Sequence, residues 1–510
     1  MMDVILAGYN LDYETICEIA RQHPAELHHL TPETISAAYA RISRTPKSIP
    51  ELRAAAKAEV EKSRQSNSRI FFEMGHHSIA EHAVFNIDVM GVSRLLAEQI
   101  EKFRLCSYME KSQRYVLLSD DFVVPKEIRE AGLDDRFRDL VQNQNRLYHK
   151  LYEKLRRYVF ETHSDLAENP ASHFTLDGWA KEDARYILSL ATQTQIGITL
   201  NARNLELILR RMASHPLHEA NEYGWKLYGV VKPIAPSLIR YTDKADYDHL
   251  TFQELSKTID HILPSPHENV SATPDSTHGG DTSVRLIHAS PDADDRVLAS
   301  LLYMTANLSI DACQQAVMSF SDSQKKEVFK SAFRYMKSYD AAPRELESVD
   351  LTYELILSAS CFAQLKRHRM ATLLCQDYQP ELGVTIPPSV CETGMESDFL
   401  AMIREIEDMY ATIKKSAPWA ASYCLTNAHR RRMTIKVNAR ELYHIARLRV
   451  DRHAQWDIRN IAEKMISLAR EVMPFTLMLA TGKDGFAARY AECYRGDNDD
   501  NGKRKQRRKK

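Results

Sequence analysis

The chain has 510 residues, 44% of them apolar and 27% charged, with a net charge of −1. That is an ordinary soluble globular balance, long enough for about two to four domains and too neutral for a general polyanion binder. No uncharged stretch is long and apolar enough to span a bilayer. The N-terminal MMDVILAGYN carries Asp3 and no basic region, so it is not a secretory signal, and the eight scattered cysteines contain no CxxC pair. These features point to a reducing, cytoplasmic compartment, away from a disulfide framework or a zinc site.

In chain order, the first chemically suggestive segment is GHHSIAEH, Gly75 to His82. Its histidines and glutamate suggest a metal, but the spacing of His77 and Glu81 is neither HExxH nor HxxEH, and no metal site is expected. Phe85, Ile87 and Val89 then alternate with Val84, Asn86 and Asp88, as in a strand, and a helix is predicted from Ser93 to about Arg104. SYMEKSQRY, Ser107 to Tyr115, comes next as a short polar loop. It is either a solvated turn or a phosphate-binding loop working through Ser112, Arg114 and backbone N–H groups. Residues 130–160 have helical periodicity. PSPHENVSATPDSTHGGDTS, Pro264 to Ser283, reads as a flexible linker.

Beyond the linker, Leu351, Tyr353, Leu355 and Leu357 alternate as in a second strand. Ser358 is a fair N-cap for a helix running to about Arg369, and residues 400–416 are again helical in pattern. Leu355 to Leu365 is uncharged, and Arg367-His368-Arg369 lies just beyond it. That triplet either complements a helix C-terminus or receives a phosphate or an electron-rich ring. From Asn438 a helix is predicted whose single face carries Leu442, Ile445, Ala446, Arg449, His453 and Trp456. A cation on an apolar face needs an anion, either a structural salt bridge or a ligand. There is no GxGxxG, TGKDG at Thr481 is not a phosphate loop, and Cys375 is read as a structural thiol rather than a nucleophile. The tail RGDNDDNGKRKQRRKK is acidic, then basic, and reads as disordered.

The halves repeat. Gly91 to Tyr115 pairs with Ile356 to Gln379, placing Gln99 against Gln364 and Arg104 against Arg369, 265 residues apart. ITLNARNLELILRRM pairs with IKVNARELYHIARLR, placing Asn201 against Asn438, 237 apart. The expected organisation is an α+β domain over residues 1–262, a linker at 263–283, a second α+β domain over 284–492 and a charged tail at 493–510. Each domain is expected to have a mixed or antiparallel sheet and several long helices.

Together these segments resemble the flavin-dependent thymidylate synthases. The signature of that family is Arg-His-Arg-x-x-Ser-x-Asn-Glu-x-Ser-x-Arg, preceded by Gly-His-x-Ser-x-x-Glu-His and followed by an Asn-Ala-Arg helix. The family enzyme is about the length of one half, so the chain resembles a tandem fusion of two thymidylate synthase-complementing-like domains. The signature is divided between them. The first half keeps Arg104, Ser107, Glu110, Ser112 and Arg114, with Lys102 and Phe103 for the Arg-His and Met109 for the Asn. The second keeps Arg367, His368 and Arg369, then has Leu374, Cys375, Asp377 and Gln379 where Asn, Glu, Ser and Arg belong.

The resemblance implies reductive methylation of dUMP to dTMP, with FAD as cofactor, NADPH as reductant and methylenetetrahydrofolate as co-substrate. It implies Arg449 as the catalytic cation on the uracil ring. Arg367, His368, Arg369, Asn438, Arg440 and His453 would contact FAD, with His76, Ser78 and Glu81 as further flavin-site residues. Gln364, Glu110, Ser112, Gln113, Arg114, Arg185 and Arg449 would hold dUMP. Arg449 and His453 have Met212 and Pro216 as first-half counterparts, and His444 stands where the family has an Asn. The implied site is composite between unlike halves, in a homodimer imitating a tetramer, with no membrane and no specific nucleic acid as partner. The alternatives are a flavin enzyme acting on another pyrimidine nucleotide and a non-catalytic scaffold.

Overall fold

A computed structural model describes residues 2–10, Thr15, Glu18, 31–41, Lys47, 49–58, Gln65, 77–240, 242–262 and 283–495. Most of the expected linker, and the tail beyond Arg495, lie outside the described residues. The chain forms two compact units, Met1–Ala272 with Ile386–Asn427, and Thr273–Thr385 with Ala428–Lys510. These units do not coincide with the two halves expected on either side of the linker. Residues 386–427 belong to the second half by sequence and to the first unit by packing.

The first unit is built on a four-stranded antiparallel sheet of β1 (Asp3–Tyr9), β2 (Val84–Ser93), β3 (Ser107–Glu110) and β4 (Gln193–Asn201), in the order β1-β2-β4-β3. The alternation read from the sequence is the alternation of its faces: Phe85, Ile87 and Val89 are buried against the core, whereas Asn86 and Asp88 face out. Gly91 has a φ of 68°, and the β2–β4 register shifts between Met90 and Val92, so the glycine makes a bulge there. Ser93 then caps helix α1 (Arg94–Ile100), its Oγ accepting the Leu96 N–H at 2.9 Å.

Later in this unit come α2 (Asp134–Thr162), α3 (His173–Ala184), α4 (Ala202–Ala213), α5 (His218–Val231) and α6 (Asp246–Ile262). The long α2 matches the expected helical segment. It buries Leu140, Leu147, Leu151 and Leu155 on one stripe. The helix Glu396–Ser416, also as expected, packs beside α2, where the Lys150 ammonium meets the Asp398 carboxylate at 2.6 Å.

The second unit repeats the sheet with β5 (Val284–Ala289), β6 (Asp350–Ser358), β7 (Thr372–Tyr378) and β8 (Arg430–Asn438), in the order β5-β6-β8-β7. Ser107 lies opposite Thr199 in the first sheet and Thr372 opposite Lys436 in the second, reproducing the two sequence offsets. Both units are α+β. Leu351, Tyr353, Leu355 and Leu357 are buried, and Tyr353 donates its hydroxyl to the Met465 carbonyl at 3.0 Å.

Ser358 caps α7 (Ala359–Leu365) as Ser93 caps α1, with its Oγ accepting the Cys361 N–H at 3.0 Å. Each capping hydroxyl in turn donates to a buried carboxylate, Ser93 to Glu219 and Ser358 to Asp457, both at 2.6 Å. Asn201 and Asn438 play matching parts as N-caps of α4 and of α8 (Ala439–Arg449), accepting the N–H of Asn204 and of Glu441. The recurring Asn of the second sequence frame is therefore a helix start.

Three helix ends differ from expectation. α1 and α7 stop at Ile100 and Leu365, not near Arg104 and Arg369. After Leu365 a tight turn forms, with the His368 N–H on the Leu365 carbonyl at 3.0 Å. The turn lets Arg367 face solvent while His368 stays buried. α8 ends at Arg449, so His453 and Trp456 do not share its face. The Asp451 side chain accepts the His453 N–H at 3.0 Å, a local bond that competes with helix continuation. Gln455 then caps α9 (Trp456–Val472). Gly482 of the TGKDG segment lies against Asp451, so closely that a Cβ there would meet the Asp451 backbone nitrogen at 2.7 Å.

Candidate active site

In the second unit, the α7–β7 turn and the end of α8 converge. Arg449 Nε donates to His368 Nε2 at 3.0 Å, and an Nη of the same guanidinium donates to the Gln364 carbonyl at 2.9 Å. On the other side of the imidazole, Nδ1 lies 3.1 Å from Glu441 Oε1. A guanidinium only donates, so His368 Nε2 must carry a lone pair. The imidazole is therefore neutral, with its proton on Nδ1 and directed at the carboxylate. Electrostatics agree. Burial, with Arg449 and His444 acting in the same direction, lowers the His368 pKa, and Glu441 only partly opposes this.

Gln364 is buried in the last turn of α7, with its amide donating to Gln455 at 3.2 Å. His444 packs edge-on to His368 at 5.5 Å between ring centroids and bonds Arg447 through Nδ1 at 3.0 Å. Beside these groups is a cavity of about 240 Å³ whose lining includes Lys337, Asp340, Arg440, Glu441, His444, Arg447 and Lys483. Its four cations outnumber its two carboxylates among the described residues, which suits an anionic group.

The other residues singled out in the second half are placed differently. Arg440 donates to the Ala342 carbonyl and pairs with Glu347, both at 2.8 Å, so it forms a braced wall of that cavity. Asn438 is occupied as a cap. Arg367 is exposed, Arg369 half-buried and His453 exposed on the turn beyond α8.

The first unit holds a separate cluster. Arg185 lies where α3 runs into a short 3-10 turn, 6% exposed, with Nε donating to the Glu182 carbonyl at 3.2 Å. One of its terminal nitrogens, Nη2, is buried with no hydrogen-bond partner. Burial lowers its pKa, Arg114 and Arg94 push the same way, and Glu182 opposes them. Arg114 pairs with Glu182. Ser112 Oγ accepts the Arg114 N–H at 3.2 Å and so tightens the loop. Gln113 is buried, its carbonyl taking the Asn427 amide at 3.1 Å, and the same amide donates to the Arg185 carbonyl at 2.9 Å. Glu110 is paired with the fully buried Arg94 and accepts from Thr194.

The structure thus gathers Glu110, Ser112, Gln113, Arg114 and Arg185. Ser78 is exposed, and Glu81 pairs with Arg203 of the Asn-Ala-Arg turn. His76 lies outside the described residues. Among the described residues no group of three His, Cys, Asp or Glu is placed to hold a metal.

Sequence reasoning missed Glu441, Gln455, Arg94, Glu182 and Asn427. Glu441 stands three residues after its N-cap, where a glutamate normally completes a capping box, and that pattern masked its bond to His368. Arg94 was visible as a lone cation in an apolar run. Asn427 carried no signal.

A duplicated α+β unit, with a buried unsatisfied arginine in one copy and a histidine-oriented arginine in the other, defines a class of proteins built from two diverged copies of one domain. The particular family emerges from comparison. The thymidylate synthase complementing protein family matches residues 26–237 and 285–475, and the chain belongs to it.

UPF0159 protein Ta1429 of Thermoplasma acidophilum is 25% identical over 446 residues, covering 80% of this chain and 86% of its own. The flavin-dependent thymidylate synthase of Clostridium tetani is 29% identical over 215 residues, 41% of this chain and 82% of its own. That of Pyrococcus furiosus is 33% identical over 159 residues, 30% of this chain and 56% of its own. Among the described residues no helix is long and apolar enough to cross a membrane.

Proposed function

We propose that the protein is a flavin-dependent thymidylate synthase that converts dUMP to dTMP, drawing its carbon from methylenetetrahydrofolate and its reducing power from NADPH. The observation that carries this reading is Arg185. A buried guanidinium with an unpartnered Nη2, among Arg94 and Arg114 and opposed by Glu182, is a cation set that a phosphate would complete. With Ser112 and Arg114 it forms the nucleotide-phosphate grip, and Gln113 supports the loop from within. Glu110 would lie between nucleotide and flavin.

The second unit supplies the complementary groups. Arg449 polarises the uracil, a role for which His368 and the Gln364 carbonyl preset its plane. Gln364 reaches the nucleotide from the same side. The cation-lined cavity beside His444 fits the pyrophosphate of FAD; at about 240 Å³ it takes part of a dinucleotide, not the whole. Arg367, His368, Arg369, Asn438, Arg440 and His453 would hold and orient the flavin, with His76, Ser78 and Glu81 at its margin. When bound, FAD supplies the hydride that completes the methyl group. The complementary losses support one composite site per pair of unlike halves in a homodimer, since neither half retains both sets.

A second reading, methylation of another pyrimidine nucleotide, is favoured by Met109. It stands where the family has an Asn, and its side chain is 79% exposed. The experiment is incubation of the purified full chain with FAD, NADPH, methylenetetrahydrofolate and each pyrimidine monophosphate. Formation of dTMP from dUMP, with tritium release from C5, supports the first reading. Turnover of a different nucleotide alone supports the second, and no flavin retention and no turnover sinks both.

A further inference from the structure

The first unit contains a larger cavity, about 670 Å³, at the place that corresponds by repeat to the Arg449–His368 cluster of the second. The turn after α1 forms one wall, as the turn after α7 bears His368. The end of α4 forms another, as the end of α8 bears Arg449. At the equivalent positions the groups proposed for chemistry have been replaced, His368 by Phe103 and Arg449 by Met212. The space has nonetheless been kept, and it lies within the range of about 300–1,000 Å³ usual for small-molecule sites.

Its lining is specific. Phe103, Met212 and Phe252 provide apolar surface, two of them aromatic. Lys102, Arg104 and Arg211 bring three cations to the lining. Among the described lining residues the carboxylate is Asp248 of α6, its side chain only 1% exposed, paired with Arg210 Nε at 2.8 Å and an Arg211 Nη at 3.1 Å. His215 brings no charge: burial, with Lys102 nearby, holds its pKa down at about 4, and its Nδ1 accepts the Leu217 N–H at 3.1 Å. The described lining thus sets three cations and one carboxylate over an aromatic floor, with α6 closing one side. That combination suits a planar heteroaromatic ring carrying an anionic tail, through stacking and charge together.

We infer that this cavity is a second, non-catalytic ligand site, which binds a heteroaromatic anion and holds it without reaction. The chemistry has two sources, a nucleoside phosphate and a pteridine carrying carboxylates. The inference does not depend on turnover in the second unit.

The test is equilibrium binding of dTMP and of pteroylpentaglutamate, each separately, to the full chain, to its Lys102→Glu/Arg104→Glu variant and to its Arg449→Met variant. Both replaced cations lie on an exposed turn, and far-ultraviolet circular dichroism checks folding. The inference expects one probe to show a site weakened at least about tenfold by Lys102→Glu/Arg104→Glu and retained by Arg449→Met. The probe that does so names the source. Binding of both probes unaltered by the double charge reversal overturns the inference. Should that variant fold poorly, photo-crosslinking of the unaltered chain with 5-azido-dUMP and with an azido-pteroylglutamate decides. Labelled peptides from residues 99–105 or 204–216 support the site, and labelling confined to residues outside its lining overturns it.

Discussion

Arg449 Nε donates to His368 Nε2 at 3.0 Å, and this bond fixes both the tautomer of the imidazole and the plane of the guanidinium. His368 in turn is held by Glu441. Replacing Glu441 with Gln keeps an acceptor for Nδ1–H but removes the charge that anchors it, so turnover should fall about tenfold with folding intact. Glu441→Ala should cost more, about 100-fold, because the imidazole is then free to turn. Steady-state kinetics on both variants checks the order, and activity equal to that of the unaltered chain in both would show that Glu441 does not position His368.

Arg449→Lys keeps the charge but cannot donate at once to His368 Nε2 and the Gln364 carbonyl. The loss should be about 100-fold or more and appear chiefly in kcat, with flavin still bound. Flavin absorbance and single-turnover rates measure the two parts, and near-wild-type dTMP formation would make Arg449 structural.

Arg185→Met removes a buried cation that lacks a full set of partners. The midpoint of thermal unfolding should hold or rise, because burial of that charge disfavours folding. The KM for dUMP should rise about 100-fold if the guanidinium grips phosphate. A collapse of stability with unchanged KM would assign Arg185 a purely structural role.

Two buried histidines and one half-buried histidine give an acid dependence. Burial lowers the pKa of His368, takes His215 from 6.5 to about 4 and takes His429 to about 3. Each binds its proton more readily when unfolded. Their contribution is thus fully present above about pH 6.5 and is lost as pH falls through the window between the unfolded and folded values. Each uncoupled proton is worth about 1.4 kcal/mol per pH unit inside that window. His215→Asn keeps an acceptor for the Leu217 N–H and should flatten the slope of stability between pH 6 and about pH 4 by up to one proton. Denaturant titrations across that range test it.

The packing of residues 386–427 predicts how the halves behave when separated. Tyr423 donates its hydroxyl to the buried Glu219 at 2.5 Å, and Asn427 joins Gln113 to Arg185. A fragment of residues 1–262 lacks both and leaves Glu219 short of a donor. The cost is about 1–3 kcal/mol for the unsatisfied carboxylate, besides the lost packing of the helix Glu396–Ser416 on α2. That fragment should express as unfolded or aggregated protein and fold on co-expression with residues 263–510. Neither half should make dTMP alone, and the intact chain should hold a single tight flavin. A soluble, active half, or two flavins per chain, would refute the composite site.

Local physics made much of this readable beforehand. Alternation at residues 84–89 and 351–357 has period two because side chains of a half-buried strand alternate faces. Ser93 and Ser358 cap α1 and α7 because a hydroxyl satisfies a free N–H at a helix start. Repetition of both frames pointed to the duplication, and the family resemblance singled out Arg185, His368 and Arg449.

Tertiary structure decided whatever depends on groups distant in sequence. His368 owes its tautomer to Glu441 and Arg449, 73 and 81 residues away, and the Arg185 carbonyl takes its donor from Asn427, 242 residues away. The end of α8 at Arg449 rests on the Asp451 turn and its close approach to Gly482. Residues 386–427 join the first unit because partners there complete their buried hydrogen bonds and cover their apolar faces. Periodicity reports which face of a segment is buried but not which neighbour buries it.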